Sequence, residues 1–171
     1  RDCICRVQKK LIGDPCDHGL ENCISFAPVE GYFDNTPVGR AISKEEALQI
    51  LHEAEDDGLV HTTGNYQDGI NYICNCCTCG CGILRSVAEF NNSTAVAKSD
   101  FLVFINEDLC IACGDCLDHC QFEALEVIDT CEVDQANCVG CGLCVPACPE
   151  EAMVLIRREE GVVAPPPENI K

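Results

Sequence analysis

Apolar and polar positions alternate in two different ways along this chain. Between Cys23 and Cys74, a stretch without cysteine, Ala47, Leu48, Ile50, Leu51 and Ala54 form an apolar stripe at helical spacing. Ser43 followed by Glu46 is a capping box, and Gly58 suits the C-terminal stop, so the pattern predicts a helix over roughly 44–57. From residue 110 the chain repeats itself at a fixed offset: Cys110, Cys113, Cys116 and Cys120 recur as Cys138, Cys141, Cys144 and Cys148. The flanks recur too, with Phe122–Ile128 matching Glu150–Ile156 and Ile105 matching Val133. Each repeat predicts a short strand, a Cys-rich loop, a helical turn after the fourth cysteine and a second strand, and two of them predict a compact α+β module.

Composition shows what must hold such a chain together. Aromatics make up 5% of the residues and Trp is absent, so large apolar side chains are scarce, while 18 of 171 residues are cysteine. Disulfides belong to oxidising compartments, and dense C-x-x-C groups in a reduced compartment bind metal or clusters. The sequence carries no apolar signal-peptide run and no stretch long enough to span a membrane, and a cytoplasmic setting is the expectation. A formal net charge of -18 does not suit nucleic acid as a partner. It suits solubility, and it also suits redox partners that present basic docking surfaces.

The spacing C-x2-C-x2-C-x3-C lets three close thiolates wrap three corners of a cubane while the loop backbone donates to its sulfides. Gly114 and Gly142 allow that approach. The segments Cys110-Ile-Ala-Cys-Gly-Asp-Cys116, Cys138-Val-Gly-Cys-Gly-Leu-Cys144 and Cys148-Pro149 resemble the bacterial-type dicluster ferredoxins over about residues 101–160. The resemblance implies two 4Fe-4S clusters with crossed ligation: Cys110, Cys113, Cys116 and Cys148 on one, Cys138, Cys141, Cys144 and Cys120 on the other. Gln121 departs from the family, which often has Pro there; the turn is less rigid and the ligands are intact. Cys131 aligns with Val103 and reads as a small buried hydrophobe, not a ligand, and His119 as a surface residue beside Cys120.

The N-terminal part holds nine more cysteines: Cys3, Cys5, Cys16, Cys23, Cys74, Cys76, Cys77, Cys79 and Cys81. Cys3-Ile-Cys5-Arg6, the helix ending in Gly58-Leu-Val-His61, and Ile73-Cys-Asn-Cys-Cys77 are similar to a Cys-rich module found upstream of ferredoxin domains in anaerobic bacteria and archaea. In longer relatives a further segment precedes that module, so this chain is expected to be part of a larger protein. In an extended segment Cys74 and Cys76 share one face and Cys77, Cys79 and Cys81 the other. One grouping joins Cys3 and Cys5 to Cys74 and Cys76; another draws Cys16 and Cys23 to two of the second set. One or two further Fe-S clusters, or a zinc held by four thiolates, would fit. His18 and His61 are minority candidates as ligands.

The expected organisation is a small Cys-rich, metal-stabilised module over 1–95 with one main helix, a dicluster ferredoxin-like domain over 96–160 and a Pro-rich tail over 161–171. The expected function is transfer of single low-potential electrons between redox enzymes of an anaerobe. The alternatives are an electron-wire subunit of a larger oxidoreductase complex and a redox or iron sensor. Neither a dinucleotide fingerprint nor a phosphate-binding loop is present, and no residue set forms an autonomous catalytic site.

Overall fold

The computed structural model describes residues 1–92 and 94–169, so the end of the tail expected over 161–171 lies outside the described residues. They form two compact units, Arg1–Gly82 with Pro166–Lys171, and Ile83–Pro165.

The first unit opens with helix α1 (Ile4–Leu11), which sequence reasoning does not anticipate. Its apolar residues point outward, Ile4 being 66% and Leu11 81% exposed, while Arg6 is buried at 2%. This inverted pattern hides the helix from any search for an apolar inner stripe. Strand β1 (Ile24–Ser25), helix α2 (Lys44–Asp56), β2 (Val60–Thr62) and β3 (Tyr72–Cys76) follow. The strands form one antiparallel sheet in the order β1-β3-β2, with Ile24 opposite Ile73 and Val60 opposite Cys76.

Helix α2 lies where the pattern predicts it. Ser43 Oγ accepts from the Glu46 amide at 3.1 Å, one half of the capping box. At the other end Gly58 takes φ +68°, the Gly58 amide donates to Glu55 O at 2.9 Å and the Leu59 amide to Ala54 O at 2.8 Å. That is a Schellman stop, and it drives Leu59 into a small core with Ala54 and Cys77. The tail is fastened to this unit by backbone, with the Gln67 amide donating to Pro167 O and the Asp68 amide to Glu168 O.

The second unit begins one residue into helix α3 (Gly82–Phe90), whose Arg85 and Glu89 pair one turn apart. It continues with β4 (Phe101–Ile105), a single helical turn α4 (Asp115–Asp118), β5 (Leu125–Val127), β6 (Cys131–Val133) and β7 (Met153–Arg157). The first strand of each repeat pairs with the second strand of the other: β4 runs antiparallel to β7, and β5 to β6. Val103 sits opposite Leu155 and Cys131 opposite Val127, so the two pairings are equivalent through the repeat. Neither repeat completes a sheet alone, which interlocks them. The expected strands flank each Cys loop, but the helical turn expected after the fourth cysteine lies before it, at Asp115–Asp118 in the first repeat, and among the described residues the second repeat has no helix there.

Replacing Gly58 with Ala should destabilise the first unit by about 1 to 2 kcal/mol, the cost of a side chain in the left-handed region, since open space surrounds the new methyl. Anaerobic urea unfolding of the whole chain should show the earlier transition of this unit, with that of the second unit unmoved.

Candidate metal centres

Two cavities occupy the second unit. Cys110, Cys113, Cys116 and Cys148 line the first, and Cys120, Cys138, Cys141 and Cys144 the second. Each cavity therefore gathers three cysteines from one repeat and the fourth from the other. Their walls are apolar, with Ile111, Val127 and Met153 around the first and Val103, Phe122 and Leu155 around the second.

Backbone geometry fixes these cysteines. Gly114 and Gly142 adopt φ +89° and +86°, and the equivalent positions Ala112 and Gly140 adopt +54° and +76°. A Cβ on Gly140 would fall 2.0 Å from Phe101 O, so only that repeat requires glycine there. After the fourth cysteine of each repeat, Glu123 and Glu151 both take φ +50°. That turn aims the Ala124 amide at Cys120 Sγ and the Ala152 amide at Cys148 Sγ, both at 3.3 Å. A third such donor, the Cys131 amide, reaches Cys110 Sγ at 3.4 Å. Amides aimed at sulfur favour the thiolate. Burial works the other way, raising the Cys116 and Cys141 thiols and pushing Cys144 up to about 12. Four cysteines converging on each apolar cavity, with backbone amides aimed at three of the sulfurs, fit a thiolate-held cluster.

Two residues of this unit escaped sequence reasoning. Arg158, nearly buried, donates from Nη2 to Cys138 O at 3.0 Å and from Nε to Ser99 O and Phe101 O, fixing the start of the second Cys loop. Cys131 is buried as expected, yet its sulfur stands 3.6 Å from Cys116 Sγ, on the wall of the first cavity. Val103 occupies the equivalent place in the other repeat. The two cavities are therefore chemically unequal, and only register within the interlocked sheets reveals it.

In the first unit the nine cysteines fall into two groups. Side-chain interactions link Cys5 to Cys81, Cys81 to Cys76, Cys76 to Cys74, Cys74 to Cys23 and Cys23 to Cys3. The other group is Cys16, Cys77 and Cys79, with the three sulfurs within 4.8 Å of one another. Strand alternation predicts Cys81 on the side of Cys77 and Cys79, but β3 ends at Cys76 and the chain turns, with the Cys81 amide bonded to Cys77 O. Cys23 joins Cys3 and Cys74 instead of Cys16, because β1 pairs with β3 directly after it. His18 bonds Asp57 and His61 bonds Asn75 Oδ1.

Electrostatics bind the larger group into one system. Cys23 is pulled down to about 3 by hydrogen bonds from Cys3 and Cys74, and Cys3 is pushed up by the same contact. Cys74 and Cys76 are each pushed up to about 11, by Cys23 and by Cys74 respectively. Charge on Cys23 is thus held at the expense of Cys3 and Cys74. Asn75, fully buried, ties the frame: its carbonyl accepts from Arg6 Nη2 at 2.9 Å and its side-chain amide bonds Asn22 O. An open cavity lined by Phe26, Tyr32, Phe33 and Tyr72 gives Cys23 and Cys74 a way to solvent.

Residues 109–152 match the family described as the 4Fe-4S dicluster domain, a segment that contains all eight repeat cysteines. No curated protein matches the chain. Iron–sulfur binding by a ferredoxin-type domain is therefore supported for this segment.

The inequality of the two cavities gives a prediction. Cys131→Val should leave the iron and sulfide content unchanged, since the other four cysteines of that cavity remain. Loss of the sulfur hydrogen bond to Cys116 should lower the potential of one cluster by about 60 mV, the one-electron equivalent of about 1.4 kcal/mol. An EPR-monitored redox titration checks it; the other cluster should not move.

Proposed function

We propose that this chain is an iron–sulfur electron-transfer protein that passes single low-potential electrons between redox enzymes through two 4Fe-4S clusters in its second unit and at least one further cluster in its first. A bound 4Fe-4S group supplies one-electron redox chemistry near the potentials of ferredoxins. The observation that carries the reading is the pair of four-cysteine cavities, each completed by a cysteine of the opposite repeat. Cys110, Cys113, Cys116 and Cys148 would hold one group, and Cys138, Cys141, Cys144 and Cys120 the other. Apolar side chains line both sites, and the amides of Ala124, Ala152 and Cys131 hold the sulfurs as acceptors. In the first unit the six-cysteine group of Cys3, Cys5, Cys23, Cys74, Cys76 and Cys81 offers more than the four thiolates a cluster needs, and it would serve as an additional relay.

The surface is consistent with a carrier. A formal charge of -18 favours encounter with basic docking surfaces on partner proteins, an attraction that salt weakens. Among the described residues no helix is long and apolar enough to cross a membrane. A cytoplasmic carrier of an anaerobe is the setting this reading suits.

Anaerobically prepared protein should contain at least about eight iron and eight sulfide per chain, and about twelve of each with one cluster in the first unit. Four or fewer would contradict the reading. Cys148→Ala should damage the cluster of Cys110, Cys113 and Cys116, although Cys148 belongs to the other repeat. Loss of the cluster of Cys138, Cys141 and Cys144 in its place would refute the crossing.

A further inference from the structure

We infer that Cys16, Cys77 and Cys79 form a separate site for a single divalent, thiophilic ion of the zinc type, with Arg6 as its buried counter-charge. This goes beyond the electron-transfer reading and does not depend on it.

The distances select a mononuclear ion. Metal–sulfur bonds of about 2.3 Å in a tetrahedron place the sulfurs about 3.8 Å apart. Cys16 Sγ and Cys77 Sγ stand 4.0 Å apart, and all three sulfurs lie within 4.8 Å of one another. Thiolates on separate irons of a cubane are spread more widely, around a larger body. Gly80 leaves the room: a Cβ there would come within 3.2 Å of Cys77 Sγ and 3.8 Å of Cys16 Sγ. Packing converges on the same point, since the Ala54–Leu59 stop of α2 buries Cys77 and packs against Cys16.

Charge supplies the second, independent argument. Arg6 is 2% exposed and keeps its proton in any protein environment. Its Nη1 donates to Gly19 O at 2.8 Å and its Nη2 to Asn75 O at 2.9 Å, both neutral carbonyls. Its Nε is buried with no hydrogen-bond acceptor among the described residues. Sulfurs surround its charge: Cys77, which also shares a hydrogen bond with it, Cys16, and, from the larger group, Cys3 and Cys23. A buried guanidinium without a carboxylate requires an anion beside it. Three thiolates on a divalent ion carry one net negative charge, which the single charge of Arg6 balances.

Among the described residues no fourth Cys, His, Asp or Glu joins the three. Cys79 is exposed, so the fourth position falls to solvent, as in zinc sites that keep one ligand exchangeable. Binding would release the thiol protons to water as the three sulfurs become thiolates.

The test uses the whole chain, prepared without oxygen in thiol-free buffer with zinc supplied, and measures zinc, iron and sulfide in the same sample together with zinc K-edge absorption. About one zinc per chain, bound by three sulfurs at about 2.3 Å and one lighter atom, is the expected result. Cys77→Ser and Cys79→Ser should each lose most of the zinc while iron and sulfide stay at the wild-type level; should Cys77→Ser fail to fold, the exposed Cys79→Ser carries the test. Zinc absent from the wild type, or retained in Cys79→Ser, overturns the proposal. So does a loss of matched iron and sulfide from Cys79→Ser, which would make these cysteines cluster ligands. A failure of the electron-transfer reading would show separately, as about four or fewer iron and sulfide in the wild type.

Discussion

Thiolates buried next to one another repel, and in an apolar cavity each is pushed back toward the protonated thiol unless a cation lies between them. This constraint governs both units. The chain has few aromatic side chains, and among the described residues eight cysteines are buried, with Leu59 and Ala54 packed against Cys77, Cys131 beside Cys116, and the buried Asn75 between two cysteines of β3 in sequence. Where a common domain would fill such positions with Leu or Phe, this one gathers groups that are stable together only when ligated. On the reading proposed above, metal binding and folding form one equilibrium.

The second unit expresses the constraint through symmetry. Strand exchange between the repeats places β4 on β7 and β5 on β6, and the same exchange delivers each fourth cysteine to the opposite cavity. Small departures from the repeat then distinguish the two sites. Gly140 replaces the equivalent of Ala112 because Phe101 O approaches it, and Cys131 replaces the equivalent of Val103, which adds a sulfur to one wall alone. Two sites of one ancestry can differ in potential by such substitutions without altering a ligand.

What the sequence revealed was what is local or periodic. Ser43 and Gly58 delimit α2 because caps are read from single residues, and the repeat is visible because its cysteines recur at one spacing. The rest depended on tertiary placement. Helix α1 carries Ile4 and Leu11 outward and Arg6 inward, so no apolar inner stripe announced it. The side taken by Cys81 was decided by where β3 stops, and the separation of Cys16 from Cys23 by the pairing of β1 with β3, neither of which is written in spacing. Arg158 gave no local signal at all, since its partners are carbonyls near the start of β4 and at Cys138.

The central claim, that ligated sulfur takes the place of a core, is tested most directly by hydrogen exchange on the metal-free protein with every cysteine reduced. The account predicts that amides of the paired strands, such as Val103 opposite Leu155 and Asn75 opposite His61, lose their protection when iron and zinc are removed and regain it on reconstitution. Protection that survives in the metal-free, fully reduced chain, together with a cooperative unfolding transition, would contradict it.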